Sequence, residues 1–141
     1  RVRRQRQMCI RDSADILLMF AEAANEYYGP DYEETIGGQQ LGCYPILKLI
    51  RKRAGIEEVS SGDATLIKEE IALERRKELV NEGHRWFDLI RTGKAVEVMN
   101  AYFTRTPGYT GITISELNYV QPIPQGQIDT DSATKQNEGY N

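Results

Sequence analysis

Hydrophobic residues fall along this chain in helical periods, and the places where charge replaces them are informative. Ser13–Tyr28 reads SADILLMFAEAANEYY and is dense in Ala, Leu, Met and Glu, all strong helix formers. Its apolar residues go nearly all the way round through Ala24, which predicts a helix sandwiched between neighbours. Ser13, or Asp12, is placed to cap it, and Gly29-Pro30 ends it. Gly37-Gly38 marks the next stretch as a loop. Cys43, Leu47, Ile50 and Ala54 are then spaced by four, three and four, one face of a second helix over Leu41–Ala54 closed by Gly55. Two helices joined by one loop predict an antiparallel, tetratricopeptide-like hairpin.

Ser60-Ser61-Gly62-Asp63 reads as a turn ending in a cap, before a long helix over about Ala64–Glu82. Leu66, Leu73, Val80 and then Phe87 recur every seven residues. Beside them Ile67 and Ile71 begin a stripe that continues as Glu74 and Glu78. Gly83 interrupts, and a short helix over His84–Thr92 ends at Gly93. Val96–Phe103 reads as another short helix, Arg105–Gly111 as a loop around Pro107-Gly108, and Ile112–Leu117 as ambiguous. From Gln121 onward, prolines, Gln, Asn and small residues argue against a regular helix and predict an extended tail on a helical body. The expected fold class is therefore all-α: a tetratricopeptide-like hairpin, a long helix, a short helix and an irregular C-terminal tail.

The 141 residues make at most one domain, with no apolar run near the ~18 residues that a membrane helix needs. The net charge of −3 is unevenly placed. Residues 1–12 hold five of the 18 basic residues and one of the 21 acidic ones, so the remainder carries −7. An acidic body is not a nucleic-acid surface. The run RRQRQMCIRDS has no amphipathic period and resembles a translated sequencing-adapter read-through, so residues 1–12 are set apart as a non-native or disordered arm. Residues 13–141 carry the fold. Cys9 follows polar and basic residues, unlike an acylated lipoprotein cysteine, and pairing of Cys9 with Cys43 is left open by the sequence.

Candidate chemistry is sparse. Lys48, Arg51, Lys52 and Arg53 lie off the second helix's apolar stripe, as a phosphate site or as a solvated face with favourable charge at a helix C-terminus. Glu74, Arg75, Arg76, Glu78, Arg85, Asp88 and Arg91 form a charge-dense helical block. Glu74 and Glu78, four apart, have the spacing of a general acid and base on one helix face. The interleaved arginines would lower both carboxylate pKa values, whereas a general acid needs one raised, so the block reads as a structural ion-pair network. A core-facing stripe that turns acidic must find partners, with Arg75, Arg76, Arg85 and Arg91 nearest in sequence. His84 is the only histidine, which excludes multi-histidine metal sites, and Trp86 is the only tryptophan and is expected to pack inside. Asp129-Thr130-Asp131 starts like a calcium loop but lacks the glycine that loop needs. No catalytic, metal or cofactor site emerges. Tyr102, Phe103 and Tyr109 are the candidates for a glycan-facing surface, against the alternative of scattered, partly buried aromatics.

Four segments, in order, resemble the C-terminal part of the SusD/RagB family. They are Ala14–Glu26 (ADILLMFAEAANE), Ile50–Ile56 (IRKRAGI), the block from Glu74 through Leu89, and the closing Pro122-Ile123-Pro124 with Gln136–Tyr140 (QNEGY). The resemblance implies a fragment of a non-catalytic surface lipoprotein of Bacteroidota. Such a protein would hold oligosaccharide or peptide beside a SusC-like TonB-dependent transporter. It would sit on the outer membrane through a lipid anchor absent from this chain. No glycan-contacting residue of the family is carried over onto this sequence. A tetratricopeptide-like protein-interaction scaffold, suggested by the hairpin alone, and a carboxylate-dependent glycoside hydrolase are the rival readings.

Overall fold

Helix α1 runs from Val2 to Tyr27 in the computed structural model, which describes residues 2–56 and 62–140, with residues 2–12 as backbone alone. Helical backbone passes straight through Ser13, so that residue is not a cap. The chain folds into two compact units, one ending at His84 and the other beginning at Arg85.

In the first unit α1 packs against α2 (Cys43–Arg53) and α3 (Ala64–Glu78). Ala14, Leu18, Ala21 and Ala24 recur at helical spacing and are all buried. The alanines on that stripe let the neighbouring helices approach closely. Leu18 meets Cys43, Ile46, Leu47 and Ile50 of α2 and Ile67 and Ile71 of α3 in one apolar cluster. Ile46 stands in the core face where the spacing had placed Ala54, which is exposed beyond the helix end. The sandwich expected of α1 is half realised: Ile16 and Met19 on its other side are exposed in this chain.

Between α1 and α2, a segment read as loop forms an antiparallel hairpin, β1 (Glu33–Ile36) and β2 (Gln39–Gly42), turning at Gly37-Gly38. Both strands are short and mostly exposed, so no alternation of apolar and polar residues marks them. Gly42 pairs with Glu33 at the point where the hairpin meets α2, and a side chain there would stand 2.2 Å from the Tyr32 carbonyl oxygen. Helix α2 closes as expected: the Gly55 N–H bonds to the Lys52 carbonyl and the Ile56 N–H to that of Arg51, a Schellman arrangement. Asp63 caps α3, its carboxylate accepting from the Leu66 N–H at 2.9 Å. The expected turn before it, at Ser60-Ser61, lies outside the described residues. Helix α3 stops at Glu78, four residues before the expected end, in a turn where Asn81 takes φ 67°. Leu66, Leu73, Val80 and Phe87, the seven-residue row, are all exposed.

The second unit holds α4 (His84–Arg91, whose first residue closes the first unit), α5 (Ala95–Arg105), a 3₁₀ turn (Glu116–Tyr119) and α6 (Gln125–Thr130). The last of these corrects the expectation of a wholly extended tail, since its prolines precede the helix and leave its hydrogen bonds intact. The rest of the tail is irregular, and its amide side chains take the place of a strand partner. Gln136 accepts from the Ile123 N–H at 2.8 Å and donates to the Ile123 carbonyl at 2.9 Å. Asn100 of α5 does the same for Ile114, at 2.8 and 3.0 Å. The fold is thus mostly helical, as the periodicity predicts, with one small strand pair. Among the described residues no helix is long and apolar enough to cross a membrane.

Candidate functional site

Three groups of side chains combine burial, charge or aromatic surface. The first is the charged stripe of α3. Glu74 is only 4% exposed and accepts from Arg51 Nε of α2 at 3.0 Å. Arg51, 8% exposed, reaches Glu70 with its Nη2. Burial alone would lower the Arg51 pKa, but its bonds to Glu70 and Glu74 outweigh that and raise it. Glu78 pairs with Arg53. The stripe Ile67, Ile71, Glu74 therefore does face the core, as read. Its arginines come from α2, however, and not from the flanking residues of its own block. Two of the four residues of the basic face of α2, Arg51 and Arg53, are thus engaged by carboxylates of α3.

Arg75 turns the other way. Its Nη1 lies 2.8 Å from Asp15 Oδ1 of α1, an ion pair whose angle falls outside hydrogen-bond geometry. Arg76 is exposed. Lys68 of α3 pairs with Glu26 of α1. Ion pairs thus tie α3 to both of its neighbours, with Glu74 held 3.0 Å from a buried guanidinium.

In the second unit Arg91 pairs with Asp88 across three residues of α4, at 3.1 Å, and Arg85 is exposed. Trp86 is half-buried, not fully enclosed, and sets its indole edge-on to Tyr119 with centroids 6.1 Å apart. Cys43, at the core of the first unit, is a free thiol whose pKa burial pushes up. Cys9 lies among residues whose side chains are outside the description. Asp131 holds no calcium loop: its carboxylate accepts from Thr134 Oγ1 at 2.7 Å and from the Ala133 N–H at 3.0 Å. Those bonds hold its pKa below the usual carboxylate range, with the Thr134 bond the larger cause. Among the described residues no group of three His, Cys, Asp or Glu is placed to hold a metal.

The second group is aromatic, and it assembles the three residues expected to face a glycan. Tyr102 and Phe103 end α5. Thr106-Pro107-Gly108-Tyr109 then turns back, the Tyr109 N–H bonding the Thr106 carbonyl at 3.2 Å with Gly108 at φ 90°, a type II turn. The turn brings Tyr109 alongside Phe103, centroids 5.6 Å and planes 20° apart. Tyr102 stands 5.8 Å from Phe103 and 6.0 Å from Tyr109. Phe103 is the partly buried member, while Tyr102 and Tyr109 are exposed.

The third group lies in the first unit and involves two residues that drew no attention in sequence, Tyr27 and Tyr28. They read as the end of a helix. Tyr28 stacks on Tyr32 with centroids 4.2 Å and planes 12° apart, and Tyr27 meets Tyr28 edge-on at 4.6 Å. The signal available was a Tyr-Tyr pair just before Gly-Pro, where a helix end leaves side chains in solvent.

The family model for SusD proteins matches residues 4–140. This chain belongs to the SusD family. The family is one of non-catalytic binding proteins, which disposes of the hydrolase reading. A SusD-like protein of Formosa agariphila is 38% identical over 95 residues, covering 61% of this chain and 17% of that protein. A SusD superfamily protein of Parabacteroides distasonis superposes with TM-score 0.65 at 27% identity, over 90% of this chain and 26% of its own. A SusD homologue of Bacteroides thetaiotaomicron gives TM-score 0.57 at 26% identity, over 91% and 26%. The chain therefore spans about a quarter of the solved SusD structures, and less of the curated relative.

Proposed function

We propose that this chain is the C-terminal portion of a glycan-binding component of an outer-membrane nutrient uptake complex, and that Tyr102, Phe103 and Tyr109 touch the sugar. Family membership supports the general role, because SusD proteins bind glycans alongside a SusC-like transporter. The observation that carries the site is the gathering of three rings within 6.0 Å, with two of them exposed. The C–H face of a pyranose is apolar and packs on the π face of an aromatic ring, while the tyrosine hydroxyls remain free to bond its hydroxyls. Tyrosine also loses little conformational entropy on contact, having two side-chain torsions. The partner on this reading is a SusC-like TonB-dependent transporter, and the location is the cell surface, reached through a lipid anchor. Peptide is the other ligand class such a component could carry.

The test is binding of the full-length protein to neutral oligosaccharides by calorimetry, with Tyr109→Ala and Tyr102→Ala beside the parent. Each variant should weaken binding by about fivefold or more while melting as the parent does. Unchanged affinity in both would remove the cluster from the site.

A further inference from the structure

Tyr27 and Tyr28 are 81% and 62% exposed, the two most exposed aromatic side chains of the first unit. We propose that Tyr27, Tyr28 and Tyr32 form a second stacking ledge, for a neutral glycan chain, separate from the Tyr102 cluster. The ligand class rests on the glycan-binding reading above; the place rests on the geometry here.

The ledge is built from the bottom up. Tyr32 is half-buried and packs against the apolar core. Its hydroxyl donates to Glu34 Oε2 at 2.8 Å, which tethers the tip of the ring to the hairpin. Tyr32 and Glu34 are two residues apart on extended chain and so point to the same side of the hairpin, which is why the bond can form. Tyr28 lies flat on Tyr32 and Tyr27 stands against Tyr28. The three rings are thus in mutual contact before any ligand arrives, which lowers the cost of ordering them on binding. Contiguous exposed aromatic surface marks interaction sites, where single scattered side chains do not.

The rim sets the chemistry. Asp31 precedes Tyr32 and Glu34 shares its side of the hairpin, while Glu33 and Gln40, 3.4 Å apart, face the other side. Carboxylates accept from sugar hydroxyls. The same carboxylates repel uronate or sulfate groups, so the ledge selects neutral chains.

The experiment uses the full-length protein with maltoheptaose, cellohexaose and xylohexaose as neutral probes and tetragalacturonate as the acidic control. Calorimetry compares the parent with Tyr27→Ala, Tyr28→Ala and Tyr109→Ala, and hydroxyl-radical labelling reads each tyrosine with and without sugar. The expected result is about fivefold weaker binding of a neutral probe by Tyr28→Ala and Tyr27→Ala, sugar-dependent protection of both rings, and no response to tetragalacturonate. Both residues are largely exposed, so the variants should melt as the parent does. Loss in Tyr109→Ala with Tyr27→Ala and Tyr28→Ala unchanged overturns the ledge and leaves the first site standing. Loss in Tyr28→Ala alone does the reverse. If no probe binds, both fall. If Tyr27 and Tyr28 are protected before any sugar is added, the rings are a packing surface for protein, and the ledge is wrong.

Discussion

Glu74 and Glu78 are four residues apart and carry the same group, yet their surroundings assign them different weights. Glu74 is enclosed with Arg51, and removing it leaves a buried guanidinium short of one carboxylate, with Glu70 still bonded to it. Breaking a buried pair costs roughly 3–5 kcal/mol, so Glu74→Ala should lose about 3 kcal/mol, the low end because Glu70 stays. Arg53, the partner of Glu78, has a side chain 42% exposed, and Glu78→Ala should lose under ~1 kcal/mol. Urea unfolding of the two variants checks the ratio, and equal losses would mean that burial does not set it. That an acid on this stripe is buried was legible from Ile67 and Ile71, which fix the face. Its partner was not, because Arg51 lies 23 residues away and no local spacing encodes a contact between helices. Asp131 gives a pH prediction. Its folded pKa is depressed by bonds from Thr134 and Ala133, so its contribution to stability is present above the unfolded carboxylate value and lost as pH falls through the folded one, on the acid side of about 4. An NMR titration of the Asp131 carboxyl should show that low midpoint, and Thr134→Val should return it toward the ordinary range.

Helices announce themselves by period: α2 through α5 were legible to within a few residues, whereas α1 begins at Val2, eleven residues before its expected start in what read as a separate arm. The elements that were missed share a cause: they bury almost nothing. Strands β1 and β2 are short and polar, so the alternation that reveals a half-buried strand is absent. The Gly37-Gly38 pair between two short runs was the available signal, being a two-residue hairpin turn. The small α6 was hidden by the expectation that prolines exclude a helix, when they only precede it. The hairpin nonetheless depends on one position that can be tested. A methyl group on Gly42 would stand 2.2 Å from the Tyr32 carbonyl oxygen, a backbone atom that cannot swing away as a side chain can. Gly42→Ala must then part the hairpin from α2, at a cost of about 2–3 kcal/mol. It should also disturb the stack of Tyr28 on Tyr32, visible as a change in near-ultraviolet circular dichroism. A variant with parental melting and spectrum would show that the hairpin gives way freely there.

At the scale of the whole molecule, α1 carries more apolar surface than this chain covers. Its period predicts burial nearly all round, and its companions α2 and α3 leave Ile16 and Met19 in solvent. Leu66 and Leu73 of α3 are exposed as well, on a row whose seven-residue repeat suits a further packing partner. Proteins seldom leave such apolar stripes open without a use for them. The family relationship suggests the use, since the matching structures are about four times longer than the part this chain resembles. If other helices of a full-length protein lie on that side of α1, the sandwich read from the sequence is completed there; in this chain one side of it stands open. Met19 reports on this directly. In the isolated 141-residue chain, peroxide should oxidise Met19 at close to the rate of a free methionine. In the full-length protein the same residue should react at least about tenfold more slowly, because a covered thioether is reached only through the small fraction of molecules that open. Peptide mapping by mass spectrometry resolves Met19 from Met8 and Met99, so the comparison is internal to each sample. Equal rates in the two proteins would mean that nothing packs on that face, and that the open stripe of α1 is a surface kept free for a partner.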